Sequence, residues 1–153
     1  MRLCLAVVGR LRPYYREAAD QYARRIQRFW PLEELETREA GQAGNNVAQR
    51  QEEGKRLRSV IPAGSMVIAL DVEGRGWSSE QVAQRLARWR DGGHTVCFVI
   101  GGAVGLDPTL VAGAAERWSL GPLTLPHQLA RVVVLEQLYR AGTILAGQPY
   151  HKG

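Results

Sequence analysis

The stretch Thr95-Val96-Cys97-Phe98-Val99-Ile100-Gly101-Gly102-Ala103-Val104-Gly105-Leu106-Asp107-Pro108 decides the fold. Thr95–Ile100 is an unbroken apolar run, and such a run predicts a strand covered on both faces. Glycines follow at once. Asp107 and Pro108 then supply a side-chain cap and a first-turn proline, which predict a short helix. An apolar strand feeding a glycine loop and then a helix is a building unit of layered α/β domains. Ligands in such domains sit beyond the carboxyl ends of strands, where glycine lets the backbone approach a flat molecule. A plain tight turn would carry the same letters, so the loop by itself leaves both readings open.

Working outward, the same alternation recurs along the chain. Leu3–Gly9 predicts a strand. Pro13 opens a helix with Tyr15, Ala19, Tyr22, Ile26 and Phe29 on one stripe and Arg16, Arg24 and Arg28 near the other face. Leu32–Arg38 alternates weakly as a strand. A polar loop, Gly41–Asn46, precedes a helix over Val47–Ile61, which tolerates Gly54 at about 1 kcal/mol relative to alanine and ends at Pro62. Met66–Asp71 predicts a strand, with Glu73–Gly76 as a turn-rich loop. Ser78 and Gln81 form a capping box before Val82, Leu86 and Trp89, and Gly92-Gly93 stop that helix. Trp118–Leu120 predicts a short strand, His127–Ala146 a long helix, and Gly147–Gly153 a polar tail. The expected architecture is one α/β domain over 1–153, with a mostly parallel sheet flanked by helices.

Composition narrows the function. The 153 residues are 45% hydrophobic and 23% charged, ordinary values that exclude a disordered or fibrous chain. No apolar run approaches the ~20 residues that span a bilayer, and Arg10, Arg12 and Pro13 follow the first apolar run where a signal peptide would need a cleavage site. The expectation is a cytoplasmic protein without a membrane partner. Cys4 and Cys97 both lie inside apolar runs and read as small buried hydrophobes. Net charge is +5, unevenly spread: +5 over 1–30, −4 over 31–53, +4 over 54–90. Basic elements of this kind suit an anionic partner such as nucleic acid.

Several chemistries lack their motifs. The chain has no G-x-x-x-x-G-K-[ST], no H-E-x-x-H and no G-x-S-x-G. Its first predicted strand ends Gly9-Arg10-Leu11-Arg12, without a dinucleotide-binding fingerprint. His94, His127 and His151 lie far apart, giving a metal site little support. What remains is Trp118–Arg131, where apolar residues interleave with Gly, Pro and Thr in no regular period. Buried, such a segment needs partners for its free backbone groups, and an adenine-like ligand offers them. His127 and Arg131 fall one turn apart on one helix face and can handle a phosphate or an acidic proton. Further along, Val132-Val133-Val134-Leu135 points apolar side chains in every direction. A helix apolar all round is buried on more than one side, so a second subunit is expected, with Val134 among the positions it would cover.

At these residues the chain resembles the ribosomal RNA large subunit methyltransferase H family of the SPOUT superfamily. The resemblance rests on Gly101-Gly102-x-x-Gly105-Leu106, Leu123-Thr124-Leu125-Pro126-His127, Arg131-Val132 with Glu136–Ala141, and Pro149-Tyr150-His151-Lys152. It implies an S-adenosylmethionine-dependent enzyme that methylates N3 of a pseudouridine in the 23S rRNA of the ribosome. It also implies a homodimer and a C-terminal trefoil knot, which would account for the aperiodic segment. By position, cofactor contacts fall to Leu70, Gly101, Leu120, Gly121, Pro122, Leu123, Thr124 and Leu125. The acceptor imide is a poor nucleophile while protonated, so a base or a nearby cation should help. Candidates are His127, Tyr150 and His151, with Arg131 as electrostatic partner; this chemistry requires no metal. Basic helices at 12–28 and 55–58 would supply phosphate contacts. Two rivals stay open at this level, a non-catalytic ribosome- or RNA-binding module and an enzyme using another nucleotide cofactor.

Overall fold

A computed structural model describes residues 1–152, and for His151 and Lys152 their backbone only. The elements run β1 (Arg2–Val8), α1 (Pro13–Ile26), β2 (Leu32–Thr37), α2 (Asn46–Val60), β3 (Met66–Gly76), α3 (Ser79–Asp91), β4 (Thr95–Ile100), α4 (Pro108–Ala112), β5 (Glu116–Ser119) and α5 (His127–Leu145), with a closing 3₁₀ turn at Pro149–Lys152. The strands form a single sheet in the order β2-β1-β4-β3-β5, and every pairing is parallel.

Side-chain alternation explains the two layers. On β1, Leu3, Leu5 and Val7 join Phe98, Ile68, Leu86 and Leu138 in one core. Cys4, Ala6 and Val8 face the other way and join Cys97, Val99, Leu57 and Leu110 in a second. Both faces of the central strands are therefore dry, as expected of a parallel sheet. Cys4 and Cys97 are cross-strand partners with no exposure. Burial pushes the Cys97 thiol up to about 12 and raises that of Cys4, so both stay protonated and inert near neutrality.

Local chemistry sets the element ends. Ser78 and Gln81 make the reciprocal capping box, and Asp107 caps α4 through the Thr109 N–H at 3.2 Å. Gly54, inside α2, lies where a Cβ would come within 2.9 Å of Asp107, so close packing and not propensity puts glycine there. β3 departs from the expected Met66–Asp71. It continues to Gly76, with a register shift against β5 between Leu70 and Arg75. The supposed loop is a bulged strand, and glycine at 74 lets it pass the Arg117 carbonyl, 2.6 Å from where a Cβ would sit.

The all-round apolar character of α5 is met largely by its own chain. This helix lies against the sheet between α1 and α3, and Val134, Leu135 and Leu138 have no exposure at all. Val134 is thus a core residue, which corrects the expectation that it lies open to a second subunit. Leu129, Val132 and Val133 remain half-buried. No helix among the described residues is long and apolar enough to cross a membrane.

Candidate active site

Beyond the carboxyl ends of β3, β4 and β5 a cleft of about 170 Å³ opens, the place where parallel sheets expose unpaired backbone groups to ligands. Leu70 and Asp71, where β3 starts its bulge against β5, form one wall, and Ile100 and Gly101 at the end of β4 form the next. Leu120, Gly121, Leu123 and Leu125, which follow β5, make the third. His127 and Ala130, on the first turn of α5, close it.

The glycine loop is tightly folded. A Cβ on Gly101 would stand 2.7 Å from the Gly105 carbonyl carbon and 2.9 Å from the Leu106 nitrogen, and one on Gly102 would stand 3.0 Å from Val8. Gly105 (φ +82°) and Gly121 (φ +115°) occupy backbone conformations that side-chain-bearing residues avoid. The Ser119 hydroxyl holds the second turn by accepting from the Gly121 N–H at 3.1 Å. Behind the first loop, buried Glu53 accepts from the Ala40 N–H at 3.0 Å and from Gln49. Trp118 floors the cleft and stacks on Trp77, with centroids 5.0 Å apart and planes 14° apart.

Six of the eight expected cofactor contacts, Leu70, Gly101, Leu120, Gly121, Leu123 and Leu125, line this cleft. Pro122 and Thr124 lie outside its wall and are exposed. The segment is more open than its apolar letters suggest, and Leu123 is 75% exposed. Trp118 and Ala130 belong to the Trp118–Arg131 segment without having been named as contacts, and Asp71 and Val72 were not anticipated. The end of a predicted strand was the signal for Asp71 alone.

His127 and Arg131 do share a face, and both border a slot of about 10 Å³ leading off the cleft. Arg131 is 3% exposed. Its Nε and Nη2 donate to Glu34 Oε1 at 3.1 and 2.7 Å, and its Nη1 donates to Glu36 Oε2 at 2.8 Å. Burial opposes the charge on Glu36, but the hydrogen bonds and charges of Arg131 and Arg16 outweigh it and hold the carboxyl below the usual carboxylate range.

The tail docks back on α5. The Tyr150 hydroxyl donates to Glu136 at 2.8 Å, its ring meets Tyr139 edge-on at 4.7 Å, and Arg140 lies over it. Burial and the neighbouring Glu136 raise the Tyr150 phenol well above its ordinary value. It is therefore a donor and not a base. Glu136 is nine residues beyond His127, about 14 Å along the helix at 1.5 Å per residue. The structure thus brings His127 and Arg131 together and leaves Tyr150 apart from them. The His151 side chain lies outside the described residues.

The region 1–151 matches the family model described as predicted SPOUT methyltransferase. The chain is 43% identical to the ribosomal RNA large subunit methyltransferase H of Stenotrophomonas maltophilia (strain R551-3), covering 99% of each. It is 41% identical to that of Xylella fastidiosa (strain M12), covering 99% of this chain and 98% of that one. Among solved structures, a probable methylase family protein from Haemophilus influenzae Rd KW20 superposes with a TM-score of 0.56 at 12% identity, over 99% of this chain and 70% of that one. TrmJ from Z. mobilis ZM4 does so at 0.51 and 17%, over 92% and 70%. At those identities the likeness is one of fold.

Proposed function

Because the chain belongs to the SPOUT methyltransferases, in the ribosomal RNA large subunit methyltransferase H family, we propose that it methylates N3 of a pseudouridine in 23S rRNA with S-adenosylmethionine. The observation that carries this reading is the glycine-walled cleft at the strand ends, with His127 at its rim. Bound there, S-adenosylmethionine would supply an electrophilic methyl group for in-line displacement.

The residues fit such a cofactor. The close-packed Gly101–Leu106 turn leaves backbone free of side chains along one wall, and Leu70, Leu120 and Leu125 offer apolar surface to an adenine. Asp71 is the acidic side chain on the lining, suited to a hydroxyl or a cationic group. His127 stands at the rim of the cleft, where an imidazole nitrogen can take the imide proton. Arg131 acts as a positioning residue: its ion pairs tie the first turns of α5 to β2 and hold His127 at the slot. Tyr150 donates a hydrogen bond, and His151 is its partner on the substrate side. Since the tail docks about 14 Å along α5 from the cleft of its own chain, it would serve the cleft of a second copy. That reading makes the working unit a homodimer, carries the trefoil knot of the family with it, and places the enzyme with its ribosome in the cytoplasm.

Two measurements test the function together. Calorimetry should show binding of S-adenosylmethionine but not of NAD or ATP. Large subunits lacking the modification should then gain one methyl group in 23S rRNA. Gly101→Val forces the turn apart, so cofactor affinity should fall at least tenfold, about 1.4 kcal/mol. Binding of NAD or ATP in its place, or unchanged affinity in a folded Gly101→Val protein, would overturn the assignment.

A further inference from the structure

Methyl transfer needs two reactant sites that share a wall, because the acceptor atom must come within ~3–3.5 Å of the methyl carbon. The cofactor cleft occupies the ends of β3, β4 and β5, which leaves the ends of β1 and β2. A second cavity of about 500 Å³ lies there, lined by Gly9, Arg10, Glu36, Thr37, Arg38 and Glu39. The narrow slot joins the two: it shares Ile100, Gly101 and His127 with the cleft, and Gly9 and Arg10 with the second cavity. The cavities beside α4 and along the edge of β5 share no lining residue with the cleft.

We infer that this β1–β2 cavity holds the nucleotide to be methylated, a pyrimidine nucleotide with its flanking phosphates, through the guanidinium groups of Arg10 and Arg38. The inference rests on the methyltransferase reading and names the acceptor side of that site.

The charges support it. Arg16, Arg56, Arg58, Arg85, Arg131 and Arg140 are each engaged by a carboxylate. Arg10 and Arg38 are among the nine arginines without such a partner in the described residues, and with Glu36 and Glu39 they line the cavity joined to the cleft. Glu36 is already neutralised by Arg131 and Arg16. The remaining charged groups of the lining are two cations and one carboxylate, Glu39, whose Oε1 lies 3.3 Å from where a Cβ on Gly9 would stand. Free guanidinium groups donate to phosphate oxygens and base carbonyls, and a carboxylate accepts from a ribose hydroxyl or an N–H. Gly9 (φ +90°) turns the chain at the mouth, beside the Glu39 carboxylate. A nucleotide seated there would hold its base at the mouth of the slot, and that water-sized passage must widen for the acceptor atom to reach the cleft past His127.

The test uses the full chain as Arg10→Ala, Arg38→Ala and the double variant. Calorimetry with S-adenosylmethionine is paired with methylation of large subunits lacking the modification. Affinity for S-adenosylmethionine should stay within twofold. Methylation kcat/KM should fall at least tenfold in each single variant and at least a hundredfold in the double one, with Arg10→Lys intermediate. Arg88→Ala, on the exposed end of α3 remote from the strand ends, should change kcat/KM less than threefold. An active double variant, loss of cofactor affinity with either substitution, or an equal loss from Arg88→Ala would each overturn the acceptor site while leaving the methyltransferase reading in place. A wild-type protein that methylates nothing would remove both.

Discussion

Arg131 shows how much one residue can carry. It sits 3% exposed, yet it is charged, because Glu34 and Glu36 converge on its guanidinium from β2. Breaking such a pair costs about 3–5 kcal/mol, since the remaining charges lose their partner. Glu34 and Glu36 keep side-chain exposures of 18% and 30%, so Arg131→Ala should fall near the lower end. At about 3 kcal/mol the melting temperature drops by roughly 6–12 °C at pH 7. The pH dependence has a definite sign. The Glu36 carboxyl titrates below its ordinary range, so its contribution is fully present above about pH 4.3 and is lost as pH falls through the lowered value. The gap between wild type and Arg131→Ala should therefore be widest at neutral pH and narrow below about pH 4. Thermal denaturation across pH 3–7 checks this, and a gap independent of pH would sink it.

At the scale of elements, α5 and the tail form one unit. The helix starts at the cleft with His127 and ends under the 3₁₀ turn, which returns Tyr150 onto Tyr139 and Glu136. Phe29 packs over Gly142, where a Cβ would overlap its ring, so glycine near the end of a helix marks a helix–loop contact and not a weak spot. Removing residues 148–153 leaves every cleft-lining side chain in place. The truncated protein should bind S-adenosylmethionine with unchanged affinity and fail to methylate ribosomes. Calorimetry alongside methyl incorporation separates the possibilities. Full activity would remove the tail from the reaction, and loss of cofactor binding would make it a structural or cofactor-side element.

For the whole molecule the open matter is what covers the apolar surface around the start of α5. Leu123 and Val72, 75% and 60% exposed, border the cleft, and Tyr14, 64% exposed, lies two residues beyond the Arg12 N–H that bonds Gln128. Leu129 and Val133 are half-buried on the same helix. A second copy laid across this surface would dry it, and symmetric pairs are the commonest solution. Light scattering should give twice the chain mass at micromolar concentration. Val133→Glu should raise the dissociation constant at least tenfold with the fold intact, whereas Val134→Glu should unfold the chain by burying a charge in its own core. A stable wild-type monomer would count against the pair.

The sequence by itself determined the order and type of the elements, because hydrophobic period, caps and prolines are local. Thr95–Ile100, the Ser78 box and the Asp107-Pro108 start are each read within a few residues. Composition marked the glycine loop and the aperiodic Trp118–Arg131 segment as candidates, and the family resemblance singled out Gly101 and Leu120–Leu125 within them. Strand order was decided only in three dimensions: β1 lies beside β4, about ninety residues away. So was the fate of Arg131, whose partners Glu34 and Glu36 come from a weakly alternating strand that nothing local links to it. The all-round apolar helix pointed to a second subunit, but α1, α3 and the sheet cover most of it. Periodicity records how many sides of a helix are dry, and only packing decides which chain makes them so.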